Sequence, residues 1–442
     1  MAAVDVAPAP RLRGDLRLPG DTSISHRAIL LAALGAGESR ISGAGDGADV
    51  RSTGAIVRAL GATVERSSET GLTVDLLVRS PGVEGLAEPT SALDCGNSGT
   101  SLRLAAGVLA GLPMSVVLTG DDSLRRRPVA RIIEPLRRMG AELNGRSNDS
   151  LPPLRVMGRF PLRGIDYSTP VPSAQVKSAI LLAGLRAEGS TTVREAVVTR
   201  DHTERMLRAR GIAVTREDGL DGSVAWTLEG GRTVPALDER IPGDPSAAAF
   251  WMVAAAIHPD AALTVLDVGI NPTRRAVIDL LRSMGADIVE QQTTEDDVGV
   301  GEPTADVTVR SSSLEAIEIG PAEVAAAIDE IPILCLAATQ ATGRTVIRGA
   351  GELRHKESDR LAGIAGGLER LGARIEVEGD DLTIVGPTRL TGGAVDSLGD
   401  HRLAMTFAVA GLIAASPVRV GQPISAAVSY PGFFGDLERI RA

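Results

Sequence analysis

Hydroxyl and basic side chains recur in this chain where runs of small aliphatic residues begin. Pro19-Gly20-Asp21-Thr22-Ser23-Ile24-Ser25-His26-Arg27 leads directly into Ala28-Ile29-Leu30-Leu31-Ala32-Ala33-Leu34. A turn, a hydroxyl cluster and an Arg in the first turn of a helix make a site for an anion, because the early backbone N–H groups are unpaired and the dipole end is positive. A single such start is ordinary capping. Here Arg103, Lys177 and Arg402 stand at further starts of the same kind. Other cations sit in loops: Arg125-Arg126-Arg127-Pro128, Thr199-Arg200-Asp201-His202, Arg274-Arg275 and Leu353-Arg354-His355-Lys356-Glu357-Ser358-Asp359-Arg360. The planar fork of Arg holds carboxylate and phosphate in a fixed orientation. In a chain of net charge -10, cations at equivalent places point to a small polyanionic substrate. Asp329-Glu330 and Glu357 lie among them as candidates for general acid and base. The plain alternative for Asp329 is an N-cap.

The elements that must position these groups form a repeat. Helix starts at residues 23, 97, 173, 244, 329 and 400 are spaced by 74, 76, 71, 85 and 71 residues. Each start precedes a helix apolar nearly all round, which belongs inside a domain. Between them lies a second, amphipathic helix type that ends in glycine and feeds a strand, as at Leu60-Gly61-Ala62-Thr63, Met139-Gly140-Ala141-Glu142, Arg210-Gly211-Ile212-Ala213, Met284-Gly285-Ala286-Asp287 and Leu371-Gly372-Ala373-Arg374. Phe433 to Ile440 forms a sixth. Each unit therefore reads as a buried helix, a strand, an exposed helix and a strand pair. The turn Leu18-Pro19-Gly20-Asp21 is repeated as Ile241-Pro242-Gly243-Asp244, which divides six units into three and three. The expectation is two similar α/β domains, residues 21–241 and residues 1–20 with 242–442, aiming their capped helix starts at one shared cleft.

Composition narrows the function. The acidic balance excludes general nucleic-acid or anionic-membrane binding, since both need a broad basic face. Cys95 and Cys335 lie far apart in apolar or glycine-rich surroundings and read as reduced, packed side chains. The five His residues show no metal-ligand spacing. His26, His202, His355 and His401 fall in the polar clusters and suit hydrogen bonding. Neither Gly-x-x-x-x-Gly-Lys-Ser/Thr nor a Gly-x-Gly-x-x-Gly following a strand is present. The opening residues have no basic segment followed by a long apolar one, and the longest apolar runs, such as Leu403 to Ala415, are too short to span a bilayer. A cytoplasmic enzyme is expected.

On the motifs Pro19-Gly20-Asp21 with Ser23 to Arg27, Asp94-Cys95-Gly96-Asn97-Ser98-Gly99-Thr100, Arg127-Pro128, Ser173-Ala174-Gln175-Val176-Lys177-Ser178, Arg200 to Glu204, Asn271-Pro272-Thr273-Arg274, Asp329-Glu330-Ile331-Pro332, Leu353 to Arg360, Asp400-His401-Arg402 and Tyr430 to Phe434, the chain resembles the enolpyruvyl transferases over essentially its whole length. Several of these motifs are worded more like the glyphosate-insensitive branch. The resemblance implies an α/β fold of two pseudo-threefold domains, each of three βαβαββ units around buried parallel helices. It implies transfer of the enolpyruvyl group of phosphoenolpyruvate to the 5-hydroxyl of shikimate 3-phosphate, with no metal or organic cofactor, in a protein that is usually a monomer. By the same resemblance Thr22, Ser23, Arg27, Ser173, Ala174, Gln175, Thr199 and Asp329 are the contacts of shikimate 3-phosphate. Gly99, Arg127, Gln175, Arg360 and Arg402 are those of phosphoenolpyruvate, while Asp329 takes the hydroxyl proton and Glu357 handles proton transfer at the enolpyruvyl carbon.

One departure bears on the reaction. The family's opening pattern is Pro-Gly-(Asp or Ser)-Lys-Ser, and this chain has Thr22 where that lysine belongs. A neutral hydroxyl removes a cation from where charge must be stabilised. Three readings therefore stand: a true transferase, a diverged enzyme that keeps the phosphorylated acceptor and performs another step such as phosphate elimination, and a binding protein without catalysis. The branch that acts on UDP-N-acetylglucosamine fits the Ser173 to Ser178 and Asp400 to Arg402 motifs less well.

Overall fold

The computed structural model describes residues 3–69, 72–294 and 300–441. Twelve helices build the repeats and are numbered here α1 (Thr22–Leu34), α2 (Ala48–Ala59), α3 (Gly99–Ala110), α4 (Ala130–Arg138), α5 (Ala174–Gly184), α6 (His202–Ala209), α7 (Pro245–Ile257), α8 (Ala276–Ser283), α9 (Ile331–Gln340), α10 (Arg360–Arg370), α11 (His401–Ile413) and α12 (Phe433–Arg439). The odd-numbered helices are the apolar ones. In α7 every residue from Pro245 to Ala256 is buried, and in α1 every residue from Ile24 to Leu34. The even-numbered helices bury one face, with Ile132, Ile133 and Leu136 inward on α4.

Each repeat closes with a small sheet of constant topology. In the first, Glu239–Arg240 pairs parallel with Ala36–Gly45, which pairs antiparallel with Thr73–Pro81, and that strand pairs antiparallel with Thr63–Glu69. Four further sheets repeat this order. The sixth has three strands among the described residues: Gly393–Asp396 lies parallel to Val418–Gly421, which is completed by Ala3–Val6 running antiparallel. In four of the six sheets the parallel partners are joined across the buried helix, while in the other two the parallel partner, Glu239–Arg240 or Leu12–Arg17, comes from a distant part of the chain; the antiparallel hairpin is the short connection.

The chain forms two compact units: one of Met1–Pro19, Pro242–Glu295 and Pro303–Ala442, the other of Gly20–Ile241 with Asp296–Glu302. Residue 20 thus falls with the segment that follows it, and a short piece of the C-terminal half groups with the other unit. The contacts of that piece give the reason: Glu302 Oε1 lies 2.7 Å from His202 Nδ1, and the Gly301 carbonyl accepts from Arg205 at 3.2 Å. Each turn of the Pro-Gly-Asp type begins its half by a close backbone approach. A Cβ on Gly20 would stand 2.0 Å from the Gly43 carbonyl oxygen. Gly243 N donates to the Asp267 carbonyl at 2.8 Å while its own carbonyl accepts from Gly269 at 3.0 Å.

The core is aliphatic, with one aromatic cluster in the unit that holds the C-terminus. Trp251 stacks on Phe433 at 4.9 Å, and Tyr430 packs edge-on against both. Cys95 and Cys335 are buried and unpaired, and burial pushes both thiols up to about 12, so neither is a thiolate at neutral pH. Among the described residues no helix is long and apolar enough to cross a membrane.

Helices α3 and α5 touch backbone to backbone at Gly107, where a Cβ would lie 2.3 Å from the Ala179 oxygen and 2.7 Å from its Cα. Alanine is the better helix former by about 0.5–1 kcal/mol, but overpacking against an unyielding backbone costs about 1–3 kcal/mol. Gly107→Ala is therefore expected to lower the urea midpoint. Gly366→Ala on α10, where nothing lies within 4 Å, should raise it slightly.

Candidate active site

The candidate residues form two sets, one in each unit. In the first set the start of α1 is capped by Asp21, whose carboxylate accepts from Ile24 N at 2.9 Å. The hydroxyl cluster therefore lies inside the helix, with Thr22 and Ser23 half-buried in its first turn. Arg27 is buried and held from three sides: Nη1 donates to the Ser23 carbonyl at 2.8 Å, Nη2 to Ser178 Oγ at 2.7 Å and Nε to Thr203 Oγ1 at 2.8 Å. These bonds use three of its five N–H groups. Burial lowers the Arg27 guanidinium to about 10, with Glu204 and Asp21 opposing, so it stays charged at neutral pH.

Ser98 caps α3 and Ser173 caps α5, accepting from Ser101 N at 3.0 Å and Val176 N at 3.4 Å. A cap of this kind uses the hydroxyl's lone pairs and leaves its proton to donate. Ala174 and Gln175 follow Ser173 on the half-buried first turn of α5. The Gln175 amide is oriented by two neighbours, accepting from Arg103 Nη1 at 2.6 Å and donating to Thr100 Oγ1 at 2.9 Å. Arg127 donates to the Asn97 carbonyl at 3.2 Å and to Asn97 Oδ1 at 2.7 Å. Gly99 sits between these two cations: a Cβ there would stand 2.7 Å from Arg103 Nη1 and 3.5 Å from Arg127 Nη1. The first N–H groups of α3 and two guanidiniums thus meet around a residue with no side chain, an anion site by construction.

Thr199 has a different first task from the one the resemblance implies. Its hydroxyl donates to Glu195 Oε1, and its carbonyl accepts from Lys177 Nζ at 3.3 Å. A hydroxyl has one proton, so while it bonds Glu195 it has none for a phosphate.

In the second set Asp329 is not a cap. Helix α9 begins at Ile331 with no side-chain cap bond, and Asp329 Oδ1 accepts from Lys356 Nζ at 3.1 Å and Arg360 Nη1 at 3.4 Å. Arg360 is buried and gathers carboxylates, with Nη2 on Glu357 Oε2 and Nε on Asp400 Oδ2 at 2.8 Å. Burial alone would lower the Arg360 guanidinium, but Asp400, Glu357 and Asp329 outweigh it and raise it. Burial likewise opposes the charge on Asp400, and Arg360 overrides it, so its carboxyl is held low. Arg402 differs: Nη1 reaches the Ser246 carbonyl at 3.3 Å, its face lies 6.0 Å from the Phe250 ring, and its buried Nε has no partner among the described residues.

Lys356 and Arg103 are the site residues left without a role by sequence reasoning. Both belonged to quoted clusters, but their partners are remote in sequence, 27 and 72 residues away, and no local pattern gives them. Arg274 and Glu330 went the other way. They are buried together, Arg274 Nη2 on Ser246 Oγ at 2.9 Å and Nη1 3.4 Å from Glu330 Oε1, and tie α7 to α9.

Six repeats of one helix, sheet and cover, with cations and carboxylates at the helix starts, define the enolpyruvyl transferase class. The solved enolpyruvyl transferase NikO from Streptomyces tendae has this fold with TM-score 0.77, at 20% identity over 99% of this chain and 97% of its own. The sequence matches the family described as EPSP synthase (3-phosphoshikimate 1-carboxyvinyltransferase) over residues 6–437. A protein of Gloeobacter violaceus named 3-phosphoshikimate 1-carboxyvinyltransferase is 51% identical over 440 residues, 99% of each chain. An EPSP synthase structure from Acinetobacter baumannii superposes with TM-score 0.85 at 40% identity, covering 99% of this chain and 97% of that one. The chain belongs to the EPSP synthase family.

His26 and His401 are buried among these groups, and the cost of burying charge, aided by Arg27 and Arg402 respectively, lowers them from 6.5 to about 3 and about 4. Both are neutral at pH 7. Between pH 6.5 and 4 the unfolded chain binds protons that the folded one refuses, so stability is lost as pH falls through that window. The double variant His26→Asn with His401→Asn should show a shallower fall in Tm between pH 6.5 and 4 than the parent; an equal fall would contradict the assignment.

Proposed function

We propose that the chain transfers the enolpyruvyl group of phosphoenolpyruvate to the 5-hydroxyl of shikimate 3-phosphate and releases inorganic phosphate. The observation that carries this reading is the convergence of Asp329, Glu357 and Lys356 around Arg360, in a chain whose full-length relatives bear that activity's name. Asp329, 18% exposed at its side chain, and Glu357, 21% exposed, stay reachable while the cation between them is buried.

Bond accounting assigns them work. The acceptor oxygen bonds to C2 of the donor as its proton passes to Asp329, and a proton from Glu357 converts the donor methylene to methyl. The C2–O bond to phosphate then breaks as the proton held on Asp329 passes to the leaving phosphate, and the methyl group returns a proton to Glu357, so the double bond and both carboxylates are restored. Lys356, beside Asp329, balances the charge that develops on the acceptor oxygen. On the binding side, Ser23, Arg27, Ser173, Ala174 and Gln175 take shikimate 3-phosphate. Gly99 with Arg127, Gln175 and Arg402 takes phosphoenolpyruvate, and Arg360 serves mainly to hold the carboxylates. Cytoplasmic residence as a monomer belongs to the same reading.

Incubation with both substrates and mass spectrometry of the products tests it. Asp329→Asn and Glu357→Gln should each lower kcat by about 10²-fold or more with Tm near the parent's. Thr22 favours one second reading, an enzyme diverged toward phosphate elimination. Loss of phosphate from shikimate 3-phosphate without donor would establish that reading, whereas transfer appearing only in Thr22→Lys would mark a weakened transferase.

A further inference from the structure

We propose that Lys177, with Glu195 and Trp226, is the positioning centre of the acceptor-phosphate pocket. This inference rests on the acceptor named above and assigns residues that the reaction itself does not use. Lys177 lies on α5 one turn beyond Ser173, its N–H bonded to the Ser173 carbonyl at 3.1 Å. The side chains of Lys177, Glu195 and Glu204 are each 0% exposed. Nζ lies 2.7 Å from Glu195 Oε2, 2.8 Å from Glu204 Oε1 and 3.3 Å from the Thr199 carbonyl, and 5.1 Å from the centre of the Trp226 ring. The same Glu195 oxygen accepts from Trp226 Nε1 at 3.1 Å, and the other one accepts the Thr199 hydroxyl.

The ammonium donates to Glu195 and to the Thr199 carbonyl and forms an ion pair with Glu204, and each of the three lies on a different stretch. Glu195 ends the strand Ser190–Glu195, Thr199 lies in the loop before Arg200, and Glu204 is on the first turn of α6. The post ties that loop, at backbone and hydroxyl, to the helix turn that presents Ser173, Ala174 and Gln175. Such an arrangement is costly as mere packing, because each buried ion loses several kcal/mol of solvation and an apolar side chain of similar volume would fill the space at less cost. What an apolar side chain cannot do is hold the Thr199 carbonyl, and with it the backbone of that loop, against the helix turn that carries Ser173, Ala174 and Gln175. A phosphate is recognised by donors held in place before it arrives. The turn braced in this way carries the residues proposed above for the phosphorylated acceptor, so the network should govern discrimination for the phosphate and not for the ring.

The test compares equilibrium binding of shikimate 3-phosphate and of shikimate, by calorimetry, in the parent, Lys177→Met, Thr199→Val and Trp226→Phe. The preference for the phosphorylated ligand should fall about tenfold in Lys177→Met and by a smaller factor in the two milder variants, while shikimate affinity stays within about twofold. Should Lys177→Met not fold, Thr199→Val and Trp226→Phe carry the same comparison. An unchanged preference, or an equal loss of both ligands, overturns the proposal. A parent chain that binds neither ligand overturns instead the acceptor assignment, and that is seen before any variant is compared.

Discussion

A helix that is apolar on every side must lie inside the protein, and its unpaired N–H groups must then be met at its start. That constraint is repeated six times here. It is answered by side chains that accept: Asp21, Ser98, Ser173, Asp244 and Asp400 each cap the helix that follows. A sequence that buries helices in this way concentrates polar groups and positive dipole ends at the helix starts and leaves the bodies to Ala, Leu, Ile and Gly. Close packing of those bodies asks for small residues, as at Gly107 against Ala179. The polar ends are what remains for binding. The site is thus a by-product of how the core is built, and the aliphatic composition and the anion chemistry have one cause.

The second constraint is that charges drawn in with the helix starts must be satisfied in closed sets. Arg360 takes three carboxylates, Lys177 takes two and a carbonyl, and Arg274 takes Ser246 with Asp244 and Glu330 nearby. The Arg360 and Arg274 sets each fix one repeat against the next, through Asp400 and Glu330, whereas the Lys177 set braces a single repeat. Removing one member leaves the others buried without a counter-charge, which is why such sets act as units.

Much of this could be read before any coordinates. The six starts, the amphipathic helices ending in glycine and the repeated Pro-Gly-Asp turn follow from local pattern, and local pattern decides where helices lie. What could not be read is which oxygen a given cation would meet. Arg27 and Arg274 look alike in sequence, yet one meets the Ser23 carbonyl and the hydroxyls of Ser178 and Thr203, and the other meets Ser246 with Asp244 and Glu330 close by. Thr199 is a phosphate contact by resemblance alone, and no local pattern shows that its hydroxyl bonds Glu195, four residues back, beside the buried ammonium of Lys177 and Trp226. Asp329 looked equally suited to capping and catalysis, and the distinction lay in Lys356, 27 residues on. Caps are short-range and legible; ion networks are long-range and are not.

Charge distribution separates the tasks of the two sets. Around Arg360, the cations Arg360 and Lys356 bond the carboxylates of Asp329, Glu357 and Asp400. Carboxylates gathered among cations in this way suit proton transfer. Around Gly99 the guanidiniums of Arg103 and Arg127 are oriented by Gln175, Pro128 and Asn97, beside the first N–H groups of α3, an arrangement that favours an anion. Thr22 matters against this background. At the start of α1 Arg27 is engaged by Ser23, Ser178 and Thr203, and Arg200 is a further cation close enough to lower it, so the hydroxyl of Thr22 adds a donor beside these cations where a lysine would add a third charge.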